Sequence, residues 1–320
     1  MTKRYLVSLF LVICLALLCS EIVIRGYVMT YHRLAQQVYT ILNEDKAGVI
    51  IGDSHTKAAF TNLPENFANL SVEGMNVLMF DSVVRSYASR NRIEKIIILA
   101  SPHIFSQYRI DGNVGIYASL PVRALDWRDD IYVFNNVYQA ALHDTVKWKI
   151  LNVLQAKNPI GLLKTRVMQA LHLSPPRVKA EEQRRGRVLW AEQSMSQKTE
   201  KTVRQLRDHA PAEDFQNHMF AIRYKEMISN LMNSGAQICL VRPPVSEIYN
   251  RIYADKFSMA PMERFFEGIV KDEGRGGHIK YVDYRDLGIS FADDVLINTD
   301  HLNEQGAQIY TPAIMKACFG

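Results

Sequence analysis

A chain of 320 residues, 48% of them apolar, can supply the core of one large α/β domain or two small ones. Its net charge of +5 is moderate. That charge suits acidic glycans or anionic lipid surfaces and falls short of the basic density of a nucleic-acid binder, so no nucleic-acid partner is expected. The four cysteines include no pair at zinc-site spacing, and no nucleotide-binding glycine fingerprint occurs. Neither a metal nor a cofactor is expected.

Lys3 and Arg4 precede an apolar run from Tyr5 to Ser20 that resumes as Ile22-Val23-Ile24. This is a signal peptide or a signal anchor. Leu18 before Cys19 suits no lipobox, and no small-x-small cleavage site lies nearby, which favours an uncleaved transmembrane anchor over residues 1–25. The basic pair holds the amino end in the cytoplasm. The expected location is therefore the inner (cytoplasmic) membrane, single-pass, with the bulk of the chain periplasmic. Residues 26–47 have Tyr27, Tyr31, Leu34, Val38, Ile41 and Leu42 at helical spacing, as a stalk would.

The organising stretch is Gly48-Val49-Ile50-Ile51-Gly52-Asp53-Ser54-His55. An apolar run of this kind reads as a buried parallel strand. Its polar end falls where open α/β sheets place their ligands. Ser54 could be a nucleophile there, or Asp53 and Ser54 could simply cap the next helix. A second short strand is expected to end near Ser71, followed by the loop of Gly74, a helix over 81–91 and a strong buried strand over 94–100. That strand ends at Ser101-Pro102-His103.

Residues 107–215 read as an insertion. Ile131 to Leu154 have helical patterning, Ser174-Pro175-Pro176 breaks the chain, and a basic stretch runs from Arg177 to Arg207. Interleaved glutamates make this stretch a solvated face first and a basic lid for an acidic polymer second. An amphipathic helix over 220–232, a strand over 236–241, a helix over 261–271 and a strand over 279–282 follow. The β-α alternation predicts a parallel sheet with helices on both faces. Cys239 and Cys318 could pair in an oxidising compartment. The last block is Asn298-Thr299-Asp300-His301-Leu302-Asn303, before a closing helix, with His301 as a candidate base.

Gly52-Asp53-Ser54 with the late His301 block resembles the SGNH/GDSL hydrolase superfamily, and within it the membrane-anchored cell-envelope branch. The relatives in view are the teichoic-acid D-alanyl transfer protein and the alginate O-acetyltransferases. The resemblance implies a three-layer α/β sandwich over residues 48–320. It also implies an exported serine esterase or O-acyltransferase that modifies a cell-envelope or exported polysaccharide through an acyl-serine. A membrane-bound acyl-donor protein would be a partner. The alternative is a non-catalytic binding or assembly protein for the polymer. Ser54 and His301 match the family blocks, and Gly74 matches the oxyanion glycine. The family asparagine after the third strand is absent, leaving Ser101 or His103 in its place. The family acid position, three residues before His301, holds Asn298. Asp300, adjacent to His301, is the other candidate acid by charge; since adjacent side chains usually diverge, Asn298 is expected to face His301, with Asp300 capping the closing helix. Asp53 and His55 are substrate-side candidates, and together with His301 they also allow a metal-dependent phosphohydrolase.

Overall fold

The computed structural model describes residues 2–23, 43–112, 189–273 and 277–320. The expected stalk, except its last few residues, lies outside them. So do the 131–154 helix, the Ser174-Pro175-Pro176 break and the basic run up to Arg187. The chain divides into two compact units, Met1–Tyr39 with Ala118–Arg185, and Thr40–Tyr117 with Gly186–Gly320.

In the first unit the apolar run forms one helix, α1 (Thr2–Val23). Among the described residues no helix is long and apolar enough to cross a membrane. The transmembrane helix expected over residues 1–25 therefore has no support from the fold.

The second unit is built on a five-stranded sheet, in the order β2-β1-β3-β4-β5. The strands are β1 (Gly48–Ile51), β2 (Phe67–Asn69), β3 (Lys95–Leu99), β4 (Gln237–Arg242) and β5 (Ile279–Asp283). Every pairing is parallel. Helices alternate with the strands: α2 (Ser54–Ala59), α3 (Val77–Ala88), the short α4 (Gln107–Gly112), α5 (Met195–His209), α6 (Met219–Asn233), α7 (Glu247–Lys256), α8 (Ala260–Glu273) and α9 (Glu304–Phe319). Strands buried on both faces need continuous apolar sequence, and Val49, Ile50, Ile51, Ile96, Ile97, Ile98 and Leu99 are all fully buried.

Alternate side chains feed two layers. Ile50, Ile97, Cys239 and Val241 join a cluster with Ala59, Tyr249, Tyr310 and Ile314 of α2, α7 and α9. On the other side α3, α6 and α8 pack together, and Tyr224 of α6 donates its hydroxyl to the Leu99 carbonyl at 2.9 Å. The amphipathic face read from sequence, Phe220, Tyr224, Met227, Ile228 and Leu231, is the buried one. Helix α3 starts four residues before the expected 81, because the Asn76 side chain accepts the Met79 N–H and caps it there.

Cys239 of β4 and Cys318 of α9 form a disulfide, with Cα atoms 5.6 Å apart. It closes a loop across a sequence separation of 79. A loop of that length removes about 4–5 kcal/mol of unfolded-chain entropy on the loop-closure estimate. Cys318→Ser should therefore lower the urea midpoint substantially, while wild-type protein unfolded with reductant present should match the variant.

The first strand places the site. A Cβ on Gly52 would lie 2.0 Å from Thr56 Oγ1, so only glycine lets α2 turn directly off β1. Strand order reverses between β1's two neighbours, β2 and β3, and open α/β sheets form their crevice at such a point.

Candidate active site

Ser54 is the first residue of α2, immediately beyond β1. Its Oγ lies 2.9 Å from Nε2 of His301, 247 residues away in sequence. On the far side of the ring, Nδ1 of His301 lies 2.7 Å from Asp300 Oδ1. These contacts fix the tautomer: Nδ1–H donates to the carboxylate and Nε2 accepts from the serine hydroxyl. The loop carrying His301 is pressed inward at Gly306, where a Cβ would come within 2.4 Å of the Val295 carbonyl. Thr299 ties the same loop to α5 and to the start of α7, through Thr202 at 2.8 Å and Ser246 at 3.0 Å.

Asn298 faces His301 Nδ1 as expected, but Asp300, expected as a helix cap, faces the same nitrogen more closely. Asn298 Oδ1 accepts the backbone N–H groups of Asp300 and His301, at 3.1 and 2.8 Å, and lies 3.2 Å from His301 Nδ1. It folds the loop. Asp300 does not cap α9; Asn303 does, accepting from the Gly306 N–H at 2.9 Å. The argument that adjacent side chains diverge holds for helices and strands. Here an asparagine-closed turn brings residues 300 and 301 together.

Beneath this trio lies a wholly buried polar cluster. Asp53 is the N-cap of α2, its Oδ1 accepting the His55 N–H at 2.9 Å. The same oxygen lies 3.0 Å from His55 Nδ1. Its Oδ2 receives Arg109 at 2.7 Å and His103 Nε2 at 2.8 Å. Arg109 also donates to the Met75 carbonyl at 3.2 Å. Ser101 pairs with the other nitrogen of His103 at 3.0 Å, so it positions that ring. His209, from the end of α5, lies 2.9 Å from the Tyr249 hydroxyl and 3.6 Å from Asp300 Oδ2. Its second nitrogen meets Gln205 at 2.9 Å.

Charge in the cluster is set by burial and proximity. Burial disfavours charge on both Asp53 and Asp300, but their neighbours outweigh it. The His55 and Arg109 charges with a hydrogen bond from His103 hold Asp53 well below the usual carboxylate range, and the His55 charge with a hydrogen bond from His301 does so for Asp300. Burial also opposes charge on His55, yet Asp53 and Asp300 raise its pKa to about 9. Burial and then the His55 charge push His103 down to about 4. Burial and then His103 push His209 well below the usual histidine value. The neutral form of His103 matches its contacts, with Nε2–H donating to Asp53 and Nδ1 accepting from the Ser101 hydroxyl.

Two sets of potential metal-ligating atoms come near one another, His55 with His103 and His209, and His55 with Asp300 and His301. The rings do not converge on a point. His55 stacks on His301 at 4.2 Å, and His103 stacks on His209 at 4.8 Å. Both nitrogens of His103 are engaged. This donor set does not suit a tetrahedral or octahedral ion, and the metal-dependent phosphohydrolase finds no ligand shell here.

Gly74 lies between β2 and α3 with φ +78°, a backbone that favours glycine, on the loop that leaves the carboxyl end of β2. His103 looked like surface from sequence and is 1% exposed. Arg109 and His209 were not singled out at all. A signal existed for His209: Lys198, Thr202, Leu206 and His209 recur at helical spacing and are the buried stripe of α5. Lys198, read as part of a solvated basic face, is buried and bonds Asp293 at 2.7 Å.

No family model matches the chain, and no curated protein does. Among solved structures it is similar to a Streptococcus pneumonia protein provisionally named a platelet activating factor. The match covers 98% of this chain and 99% of that one, at 9% identity and a TM-score of 0.41. A likeness so distant carries no argument about chemistry, which rests on the side chains themselves.

Proposed function

We propose that the protein is an exported, membrane-anchored serine esterase or O-acyltransferase of the SGNH type, acting on a cell-envelope or exported polysaccharide. The observation that carries the reading is the line Ser54 Oγ, His301 Nε2, His301 Nδ1, Asp300 Oδ1, with spacings of 2.9 and 2.7 Å across the ring. A serine hydroxyl is a weak nucleophile until a base takes its proton, and His301 is placed to do that. Ser54 Oγ attacks the ester carbonyl as its proton passes to His301 Nε2, and Asp300 stabilises the imidazolium. The proton then goes to the departing alkoxide, leaving an acyl-serine. Water or a sugar hydroxyl, deprotonated by the same nitrogen, releases the acyl group and restores the hydroxyl. Gly74, with its N–H, is the proposed oxyanion donor.

Export is supported by Lys3 and Arg4 ahead of the apolar run and by a disulfide of the kind that persists in oxidising compartments. The polymer is supported by a cleft of about 790 Å³ with Lys198, Arg251, Arg285, Glu247 and Asp293 on its walls beside Tyr284 and Phe291. Aromatic walls with polar groups of both signs suit a sugar chain. A membrane-bound acyl donor would supply the ester in the transfer version.

A fluorophosphonate probe tests the reading. It is expected to label the wild-type protein covalently, with Ser54→Ala giving no label while unfolding at the same urea concentration. A folded wild type that never labels hands the case to the polymer-binding alternative.

A further inference from the structure

His55 is the most heavily engaged side chain near the trio, and proton transfer between Ser54, His301 and Asp300 leaves it without a task. We infer that His55 is a positioning residue: clamped as a cation between Asp53 and Asp300, it holds the Asp300 carboxylate ionised against His301. The inference rests on the hydrolase reading above and assigns a new role within that site.

The geometry has three parts. His55 Nδ1 lies 3.0 Å from Asp53 Oδ1 and its Nε2 lies 3.2 Å from Asp300 Oδ2, so one ring spans both carboxylates. The first contact is a hydrogen bond. The second lacks hydrogen-bond alignment and acts as charge against charge. Both carboxylates are fully buried, and an isolated buried carboxylate takes up a proton. A protonated Asp300 could not stabilise an imidazolium. Arg109 serves Asp53 and has no contact with Asp300 among the described residues, which leaves His55 as the cation for Asp300. His103 and His209, the other rings in contact, are held neutral by burial.

The third part is the stack. The rings of His55 and His301 lie 4.2 Å apart at 25°. Two imidazolium rings in that arrangement repel. The groups facing His55 are thus Asp53 from the end of β1, Asp300 and His301 from the loop before α9, His103 from the end of β3, and His209 from α5. Charges balance within the cluster: Asp53 and Asp300 against His55 and Arg109. A merely structural histidine would need only one of these contacts.

The test uses full-length protein in detergent and two measurements. Fluorophosphonate labelling rates against pH are compared for wild type and His55→Gln. The variant should label roughly 10- to 100-fold more slowly at pH 7, a share of the ~10²–10⁴ that general acid–base catalysis contributes. The acid-limb midpoint should rise, because Asp300 loses the cation that keeps it ionised. A histidine kept only for packing would change the unfolding midpoint and leave the acid limb alone. The second measurement needs no variant: ¹⁵N-histidine NMR of the wild type should find both His55 nitrogens protonated at pH 7.5. A neutral His55 at that pH, or a folded His55→Gln with an unmoved acid limb, overturns the clamp while leaving the hydrolase reading intact. A wild type that is never labelled removes the hydrolase reading and the catalytic side of the clamp together.

Discussion

Asp300→Asn is expected to slow acylation of Ser54 by about 10⁴, the loss that follows the same change in a serine-protease triad. The amide would keep the contact to Nδ1 but not the charge, and it could present its NH₂ to a nitrogen that must itself donate. Asn298→Ala should behave differently. It deletes the acceptor for two backbone N–H groups, so it costs stability, about 0.5–2 kcal/mol as for a lost cap, and less than tenfold in rate. Steady-state hydrolysis of a model acetyl ester, with urea unfolding in parallel, separates the two. Should Asn298→Ala lose the larger factor in a folded protein, Asn298 would be the orienting group after all. Asn298→Asp, attractive from the family pattern, should bring no gain, because the position opposite Nδ1 already holds a carboxylate.

The second large effect is on stability. Asp53→Asn removes the buried anion that holds Arg109, His103 and His55, all within 3.0 Å of its oxygens. Breaking such a network by deleting one partner costs about 3–5 kcal/mol. The pH dependence of the wild type follows from the same groups. Asp53 and Asp300 have folded pKa values below the ordinary 3.8, so their contribution is complete above that pH and fades as pH falls through the lower folded values. His55 runs the other way. Raised from 6.5 to about 9, it contributes fully below pH 6.5 and loses that contribution as pH climbs through 9, on the order of 3 kcal/mol in all. Urea midpoints from pH 3 to 10 should therefore climb between about pH 4 and 6.5, where the depressed His103 and His209 leave the unfolded chain binding more protons, and decline on the alkaline side, a decline that His55→Gln abolishes. A midpoint flat from pH 6.5 to 10 in the wild type would mean that His55 is not charged in the native state.

Much of this was readable from the chain. Buried parallel strands advertise themselves as apolar runs, and Val49 to Ile51, Ile96 to Leu99 and Ile238 to Val241 all did so. Ser54 and His301 were found because a glycine turn and a pre-helix loop are local patterns. Asn298 was expected against Nδ1 and lies 3.2 Å from it, but Asp300 lies closer at 2.7 Å, because Asn298 folds a turn that no spacing rule encodes. His103 was offered only as an alternative to Ser101, because a histidine after a strand is ordinarily wet. Its burial comes from Arg109, His209 and Asp53, each from a different element. His209 sat in a stretch whose charges masked its buried stripe. The Cys239–Cys318 pairing was open from sequence, and the registry of α9 against β4 decides it.

The sheet order has a consequence for how the molecule is made. β1, β2 and β3 are neighbours in sequence and β1 pairs with both of the others, whereas β3 meets β4 across more than a hundred residues, as in the Ile97–Cys239 register. Long-range parallel pairing is slow because its closure entropy is spent before any contact forms. The strands around Ser54 can therefore assemble early, while His301 reaches the serine only once β4, β5 and the loop after them have docked. Throughout that interval the chain carries an unactivated hydroxyl, so a half-folded molecule presents no serine–histidine pair.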